Sequence, residues 1–221
     1  MTTTVSRVTL PDLSHLGSKD FERVYEPSDD TFLLVDALAA DAGELLRRNP
    51  AVCLEVGSGS GCVLAQLGLL LPHATLLGGD INRDACKATA ATIAANRQGG
   101  DTVQMDLLAA MRPGTVDVLV FNPPYVPTSE EELAEAIAAV DISAAWAGGE
   151  RGRRVLDRML PMVGTVLSPS GVFYLLGVQE NDRDEIEDIM RETHGMRSRL
   201  IAERRAQNKR LFVVRFDRGG P

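Results

Sequence analysis

The sequence predicts an α/β fold built on one sheet that is largely parallel, with an antiparallel strand near one edge. Short apolar runs of strand length alternate with amphipathic helical segments, and the last two runs are joined by a short turn. Alternation of this kind produces parallel strands, whereas a short turn produces an antiparallel pair. The predicted strands are 51–56, 74–79, 102–105, 116–121, 172–178, 199–203 and 211–216.

The N-terminal residues 1–23 have no periodic apolar pattern and are expected to form an irregular arm before a single domain at 24–221. A helix is predicted to follow, capped by Ser28 or Asp29 and ending near Asn49. Its apolar face comprises Phe32, Leu33, Val35, Ala37, Leu38, Ala42, Leu45 and Leu46.

A glycine-rich loop joins the first predicted strand to the next helix, with the sequence Gly57-Ser58-Gly59-Ser60-Gly61 directly after Glu55-Val56. Glycines let the backbone approach a ligand closely, and the first N–H groups of the helix point at an acceptor on it. A dinucleotide fingerprint would have glycine or alanine where this chain has Cys62. The spacing suits S-adenosylmethionine, but the loop predicts a nucleoside ligand more firmly than it predicts which one.

Two acidic residues end the second and third predicted strands. Asp80 follows Gly57 at about the offset where a carboxylate accepts hydrogen bonds from ribose hydroxyls. Asp106, followed by Leu107, could reach an adenine amino group. The carboxyl ends of parallel strands meet at one edge of the sheet, so these loops are expected to line one crevice.

The fourth predicted strand ends in the turn Asn122-Pro123-Pro124-Tyr125. Two prolines stiffen the turn and remove two backbone donors, so the turn presents mainly acceptors. The Asn122 side-chain oxygen and the Pro123 carbonyl could receive both hydrogens of a planar NH2 group, and Tyr125 offers a face for stacking. Such a sequence can also be a simple turn; the neighbouring ligand loops favour a binding role.

Three features of the second half complete the prediction. The acidic stretch 128–140 is expected to be a partly helical flap. Trp146 lies beside two glycines, where it would either pack or wall a substrate pocket. Asn181 is expected to cap the last helix, as Asn82 or Asp84 would cap an earlier one.

Composition excludes several functional classes. The net charge of −8 and the pI near 5.0 disfavour a broad nucleic-acid surface, because such surfaces depend on Lys and Arg. No apolar run approaches the ~20 residues of a membrane span, and the start lacks the apolar core of a secretory signal, so a cytoplasmic location is expected. The scattered histidines suggest no metal site. The cysteines are expected to be small buried residues: Cys53, Cys62 and Cys86.

Together, these motifs resemble those of the Rossmann-like, seven-stranded S-adenosylmethionine-dependent methyltransferases of the HemK-like class. Further segments are similar to the eukaryotic and archaeal members that methylate the glutamine of the Gly-Gly-Gln motif in the class I translation release factor. The likeness extends from about Val24 to Phe216. Those further segments are Tyr25-Glu26-Pro27, Asp29-Asp30-Thr31-Phe32 and Ala145-Trp146-Ala147-Gly148-Gly149.

The resemblance implies a role for each matching position. Glu55 and the glycine loop would hold the methionine part of S-adenosylmethionine, Thr31 its carboxylate, Asp80 the ribose, and Asp106 with Leu107 the adenine. The catalytic residues would be Asn122, Pro123 and Tyr125, and the substrate contacts Asn122, Pro123, Pro124, Tyr125 and Trp146. The cofactor contacts would be Tyr25, Pro27, Thr31, Glu55, Gly57, Ser58, Gly59, Gly61, Asp80, Ile81, Asp106, Leu107 and Asn122.

The resemblance also implies a heterodimer with a small zinc-binding activator protein. In the family's strand order the strand 102–105 would lie at the sheet edge, where another chain can add a strand. Two alternatives stay open. One is methylation of the exocyclic amine of a nucleic-acid base, which the acidic composition and the 5% aromatic content disfavour. The other is a donor-binding scaffold without catalysis, which the intact Asn122 and Tyr125 disfavour.

Overall fold

The computed structural model describes residues 9–129, 131–132, 134, 146–206 and 209–219, so most of the expected acidic flap lies outside the described residues. Seven strands form one sheet in the order β3-β2-β1-β4-β5-β7-β6. The strands are β1 Val52–Val56, β2 Thr75–Asp80, β3 Gly100–Gln104, β4 Val116–Phe121, β5 Leu167–Val178, β6 Arg197–Ala206 and β7 Lys209–Asp217.

Helices connect most of these strands, and short 3-10 turns at Glu150–Gly152 and Gln179–Asn181 precede the last two helices. Among the described residues, no helix is both long and apolar enough to cross a membrane. The helices are α1 Ser18–Phe21, α2 Asp29–Ala40, α3 Ala42–Arg48, α4 Cys62–Leu70, α5 Arg83–Ala95, α6 Arg154–Val166 and α7 Arg183–His194.

The sheet has the predicted architecture. Pairings among β1 to β5 are parallel, whereas β7 is antiparallel to both β5 and β6. β3 lies at one edge, as the resemblance implied, and its residues are exposed or half-buried. The α/β prediction with a single antiparallel strand near one edge is therefore confirmed.

Two hydrophobic cores cover the two faces of the sheet because successive side chains of a strand point to opposite faces. In β4, Val118 and Val120 belong to the core formed with α2 and α4, whereas Leu119 and Phe121 belong to the core formed with α6 and α7. β4 and β5 are buried on both faces, which explains their continuous apolar sequences. The three cysteines are free and buried, as predicted.

The first long helix is not continuous, which corrects the prediction of one helix up to Asn49. Asp41 leaves the helical conformation between α2 and α3. Its buried carboxylate accepts hydrogen bonds from the Tyr174 hydroxyl at 2.7 Å and from the Arg215 guanidinium at 2.5 Å. The chain bends because this carboxylate bonds to the sheet. Asn49 then ends α3 in the left-handed conformation.

Three other local predictions need correction. Asp182, and not Asn181, caps α7, since its carboxylate accepts the Glu185 N–H; the Asn181 oxygen instead accepts the N–H of Val178. β5 begins at Leu167, earlier than the predicted start at 172, and its added first part contains a register irregularity in the pairing with β4. The arm expected to be irregular contains the one-turn helix α1. At α5, Asn82 is the cap, accepting the Asp84 N–H at 2.8 Å.

Candidate active site

A cavity of about 320 Å³ opens at the carboxyl ends of β1, β2 and β4, where the sequence predicts the ligand crevice. Its floor is the glycine loop between β1 and α4, and apolar side chains form much of its wall. Polar groups lie at defined places among these apolar side chains, an arrangement typical of small-molecule sites. The apolar lining includes Val24, Val56, Met105, Phe121 and Val155.

The glycine loop owes its shape to three residues with positive φ, namely Gly57, Gly59 and Gly61. Gly61 is the most constrained, because a Cβ atom there would lie 2.9 Å from the Cα of Thr89. Thr89 also fixes the loop through its hydroxyl, which donates to the Gly59 carbonyl at 3.0 Å. Close packing of α5 therefore holds the loop against the cavity.

Glu55 lies at the buried end of β1, under the first turn of α4. One carboxylate oxygen accepts the Leu64 N–H at 2.8 Å. Burial raises the pKa of Glu55 well above its ordinary value of 4.5, against the lowering effect of that hydrogen bond. In the described part of the chain no Lys or Arg pairs with Glu55, and a buried carboxyl of this kind is suited to receive a cation from a ligand, such as the amino group of an amino acid.

Asp80 ends β2, and backbone groups hold its carboxylate in place. One oxygen accepts the Gly59 N–H at 3.0 Å, and the other accepts the Asn82 N–H at 2.8 Å. Each oxygen keeps a second lone-pair direction that can accept a ligand hydroxyl. Burial is the largest effect on Asp80 and raises its pKa, although these N–H groups oppose the rise.

Asp106 and Leu107 line the cavity after β3, and Leu107 has a positive φ of 51°. The structure adds a contact that the sequence did not indicate. Arg158, from α6, donates to the Asp106 carboxylate at 2.6 Å, and both residues line the cavity. Any adenine group that bonds to Asp106 must therefore share its carboxylate with Arg158.

One end of the cavity lies beside the turn after β4, and we call it the acceptor end. It is organised by Asp30, whose side chain is buried in the first turn of α2. One Asp30 oxygen accepts the Asn122 NH2 group at 3.0 Å and the Tyr125 hydroxyl at 3.1 Å. The other oxygen accepts the Thr31 N–H at 2.8 Å and, at 3.4 Å, the hydroxyl of Tyr25. Asp30 thus joins the helix to the turn after β4.

This network fixes the direction of the Asn122 amide. Because its NH2 group donates to the Asp30 carboxylate, its oxygen points away from Asp30. That oxygen is buried and has no hydrogen-bond partner among the described residues. An unpaired buried acceptor is costly, so this atom is suited to a ligand donor. Asn122 also lines the cavity, which brings this acceptor beside the ligand space.

The two tyrosines of this network are kept neutral. Burial, followed by the charge of Asp30, raises the pKa of Tyr25 to about 12. The same two causes raise the pKa of Tyr125 further above its ordinary value. Both hydroxyls therefore act as donors to Asp30, and the Asp30 carboxylate is held by neutral groups.

The loop with Trp146 packs against the end of the Asn-Pro-Pro-Tyr turn through its backbone. Val126 pairs with Ala147, and the Val126 N–H donates to the Trp146 carbonyl at 3.0 Å. A Cβ atom at Gly152 would lie 1.9 Å from the Tyr125 carbonyl, so only glycine allows this approach. The Trp146 side chain is 41% exposed and is not among the described residues that line the cavity.

Most predicted cofactor residues line the one cavity. Among the described residues, the predicted site positions that do not line it are Pro27, Gly61, Pro123, Tyr125 and Trp146. Sequence reasoning missed Asp30 and Arg158 as site residues, and only the neighbouring Asp29-Asp30-Thr31 motif hinted at the first. The predicted positions in the lining are Tyr25, Thr31, Glu55, Gly57, Ser58, Gly59, Asp80, Ile81, Asp106, Leu107, Asn122 and Pro124.

Known proteins are similar to this chain in sequence and in fold. The family model described as methyltransferase small domain matches residues 29–156. Methyltransferase HEMK2 of Mus musculus is 44% identical over 215 residues, covering 96% of this chain and 97% of its own. The eRF1 methyltransferase catalytic subunit mtq2 of Schizosaccharomyces pombe is 37% identical, with coverage of 96% and 97%.

A solved structure has the same overall arrangement. In the E. cuniculi Mtq2-Trm112 complex, described as responsible for methylation of the eRF1 translation termination factor, one chain is 27% identical to this one. The superposition has a TM-score of 0.67 and covers 89% of this chain and 99% of that one. The family match covers more than half of the chain, and the curated relatives match nearly end to end. The chain therefore belongs to the methyltransferase small domain family and, within it, to the HemK-like methyltransferases.

Proposed function

We propose that this methyltransferase transfers a methyl group from S-adenosylmethionine to the side-chain amide nitrogen of a glutamine, and that this glutamine belongs to the Gly-Gly-Gln motif of a translation release factor. The observation that carries the proposal is the Asn122 side-chain oxygen, an unpaired buried acceptor in a residue that lines the cavity. The names of two relatives support parts of this proposal, since HEMK2 is described as a methyltransferase and mtq2 as the catalytic subunit of an eRF1 methyltransferase.

The cavity fits the proposed donor in its chemistry. Glu55 is suited to the amino group, Asp80 to the ribose hydroxyls, and Asp106 to the adenine amino group. The glycine loop, through Gly57 and Gly59, leaves space beside the backbone. When bound, S-adenosylmethionine supplies an electrophilic methyl group on a sulfonium.

The residues at the acceptor end can orient and activate the glutamine amide, which by itself is a weak nucleophile. Its nitrogen lone pair is delocalised into the carbonyl, so the attacking group must be oriented and its developing positive charge stabilised. The Asn122 oxygen can accept a hydrogen bond from one N–H of the glutamine amide. The Pro123 carbonyl could accept a hydrogen bond from the other N–H. Tyr125 is fixed through its hydroxyl to Asp30, and we infer that the planar amide stacks on the small exposed part of its ring. As the nitrogen bonds to the methyl carbon, the bond from that carbon to the sulfonium sulfur breaks and S-adenosylhomocysteine leaves. The methylated nitrogen then releases one proton to water, and the residues of this chain contribute by positioning and electrostatics.

A transfer assay tests the function directly. The chain, with its activator, is incubated with radiolabelled donor and a release factor that either keeps or lacks the Gly-Gly-Gln glutamine. We expect label only on the factor with the glutamine. Label that persists after the glutamine is replaced, or that is found only on DNA or RNA, would contradict the proposal and support the nucleic-acid alternative.

We further propose that a small zinc-binding activator protein binds the free edge of β3. The E. cuniculi relative was solved as a complex with Trm112, and β3 is an exposed edge strand here. Its outward backbone groups can be assigned. The Met105 N–H bonds to Asp80 of β2, and backbone groups alternate along a strand, so the N–H groups of Thr102 and Gln104 point away from the sheet.

Substitution of Thr102 tests this edge. The Thr102 N–H donates to the Asp101 carboxylate at 2.8 Å in the chain alone, and a partner strand would take its place. Thr102→Pro removes this outward donor and keeps the pairing with β2, so we expect weaker heterodimer formation by about tenfold in light scattering or titration calorimetry. Thr102→Ala keeps the backbone donor and is the matched control. Equal binding by the two variants would contradict strand addition at β3.

Because release factors work at ribosomes, we also propose that the enzyme is cytoplasmic.

A further inference from the structure

Lys209, the first residue of β7, lies over the ring of Tyr125. Its ammonium is 5.2 Å from the ring centre, a distance typical of a cation–π contact. The rest of Tyr125 is packed in the core, and the residue is only 9% exposed. The ammonium therefore lies over the ring whose hydroxyl is bonded to Asp30 at the acceptor end of the cavity.

Asp30 brings a buried negative charge to the acceptor end. Asp30 is 3% exposed, and its hydrogen-bond donors are the neutral groups of Asn122, Tyr125, Tyr25 and Thr31. In the described part of the chain, no Lys or Arg forms a salt bridge with Asp30. By itself, such a carboxylate would attract a cationic acceptor, because opposite charges interact strongly where water is excluded.

We propose that Lys209 determines the charge selectivity of the acceptor site, favouring a neutral amide over a cationic amine. The proposal rests on the proposed function, because it assigns to Tyr125 the face on which the acceptor stacks. An acceptor ammonium at that face would lie close to the Lys209 ammonium and be repelled. A neutral amide has no net charge and avoids this repulsion. Lys209 thus opposes the attraction that Asp30 exerts on cations.

The neighbouring Arg210 provides a control within the same strand. Successive residues of a strand point to opposite faces, so Arg210 points away from the face that carries Lys209. Arg210 lines a separate surface cleft with Glu203 and Phe212. Removal of its charge changes the net charge by the same amount, but on the other face of the sheet.

The test measures binding of two matched peptides that contain Gly-Gly followed by either glutamine or lysine. Affinities are measured by fluorescence anisotropy for the full chain in the presence of S-adenosylhomocysteine. For wild type we expect preference for the glutamine peptide. For Lys209→Met we expect the affinity ratio to shift about tenfold toward the lysine peptide, whereas Lys209→Arg should keep the wild-type ratio.

Arg210→Met should also keep the wild-type ratio. A ratio that changes by less than twofold in Lys209→Met, or that changes equally in Arg210→Met, would overturn the proposal. Thermal unfolding of each variant establishes that it is folded, and Lys209→Gln provides a second neutral substitution.

Peptide methylation by wild type is measured separately and tests the proposed function. If the affinity ratio shifts in Lys209→Met but wild type does not methylate the glutamine peptide, the role of Lys209 in charge selectivity stands and the proposed function is rejected. Methylation with an unchanged ratio would reject only the role of Lys209.

Discussion

The two ends of the cavity hold their carboxylates in different ways. At the donor end, Asp80 is fixed by the backbone N–H groups of Gly59 and Asn82, and further lone pairs are free for a ligand. At the acceptor end, Asp30 is surrounded by side chains and orients Asn122 and Tyr125. We therefore propose that a carboxylate at the donor end contacts the ligand itself, whereas Asp30 acts by positioning other groups.

This difference predicts two kinds of defect. Changes at the donor end should weaken donor binding, with turnover at saturating donor largely kept. Changes at the acceptor end should lower turnover while donor binding is kept, because the positioned groups act on the attacking amide.

The largest effect is expected for Asn122→Ala. The variant loses the acceptor that orients the amide, so we expect kcat to fall by about a thousandfold, comparable to the loss of one preorganised polar group. Donor affinity, measured by titration calorimetry, should change less than about threefold. If donor binding is lost to the same extent as turnover, Asn122 belongs to the donor end and the comparison fails.

The next largest effect is expected for Asp30→Asn, which replaces a charged acceptor with a neutral amide. Hydrogen bonds to a charged group contribute about 1.5–3 kcal/mol, so we expect kcat to fall about thirtyfold as Asn122 loses its fixed direction. Asp29→Asn, at the exposed neighbouring position, is the matched control and should be near wild type. A raised donor Kd with normal kcat would show that Asp30 does not act through Asn122.

The same difference explains which residues the sequence predicted. Glu55 and Asp80 lie at the carboxyl ends of β1 and β2, and the glycine loop follows β1 directly, so local patterns locate them. Asp30 contacts Asn122 across 92 residues, and Arg158 contacts Asp106 across 52. Contacts of that range depend on how elements pack, and no local pattern encodes them. The break at Asp41 has the same origin, since its partner Arg215 lies 174 residues away.

At the donor end, Asp80→Asn should weaken donor binding about tenfold with little change in kcat at saturating donor. An amide can accept through only one atom, so its NH2 group would oppose the N–H of Gly59 or Asn82. Asp84→Asn, an equal charge change at a half-buried position nearby that does not line the cavity, should leave the Kd unchanged. A lower kcat with an unchanged Kd would show that the donor end also positions the acceptor.

The smallest effect is expected for Glu55→Gln, and it is a change in Tm whose size depends on pH. Burial raises the folded-state pKa of Glu55 above 4.5, so the folded state binds more protons than the unfolded state as pH rises from about 4.5 through the raised pKa. Stability from this group falls across that window. Glu55→Gln removes the titration and should raise the Tm by about 3 °C at pH 8, with little change at pH 4.

Glu44→Gln is a control of opposite sign for this measurement. The Arg47 hydrogen bonds and the Arg48 charge lower the pKa of Glu44, so its contribution is present above pH 4.5 and is lost as pH falls. The Glu44 variant should therefore be less stable than wild type at pH 8, whereas the Glu55 variant is more stable and binds the donor more weakly. If Glu55→Gln lowers the Tm at pH 8, ionised Glu55 is a structural partner and not a group kept ready for the cation of the donor.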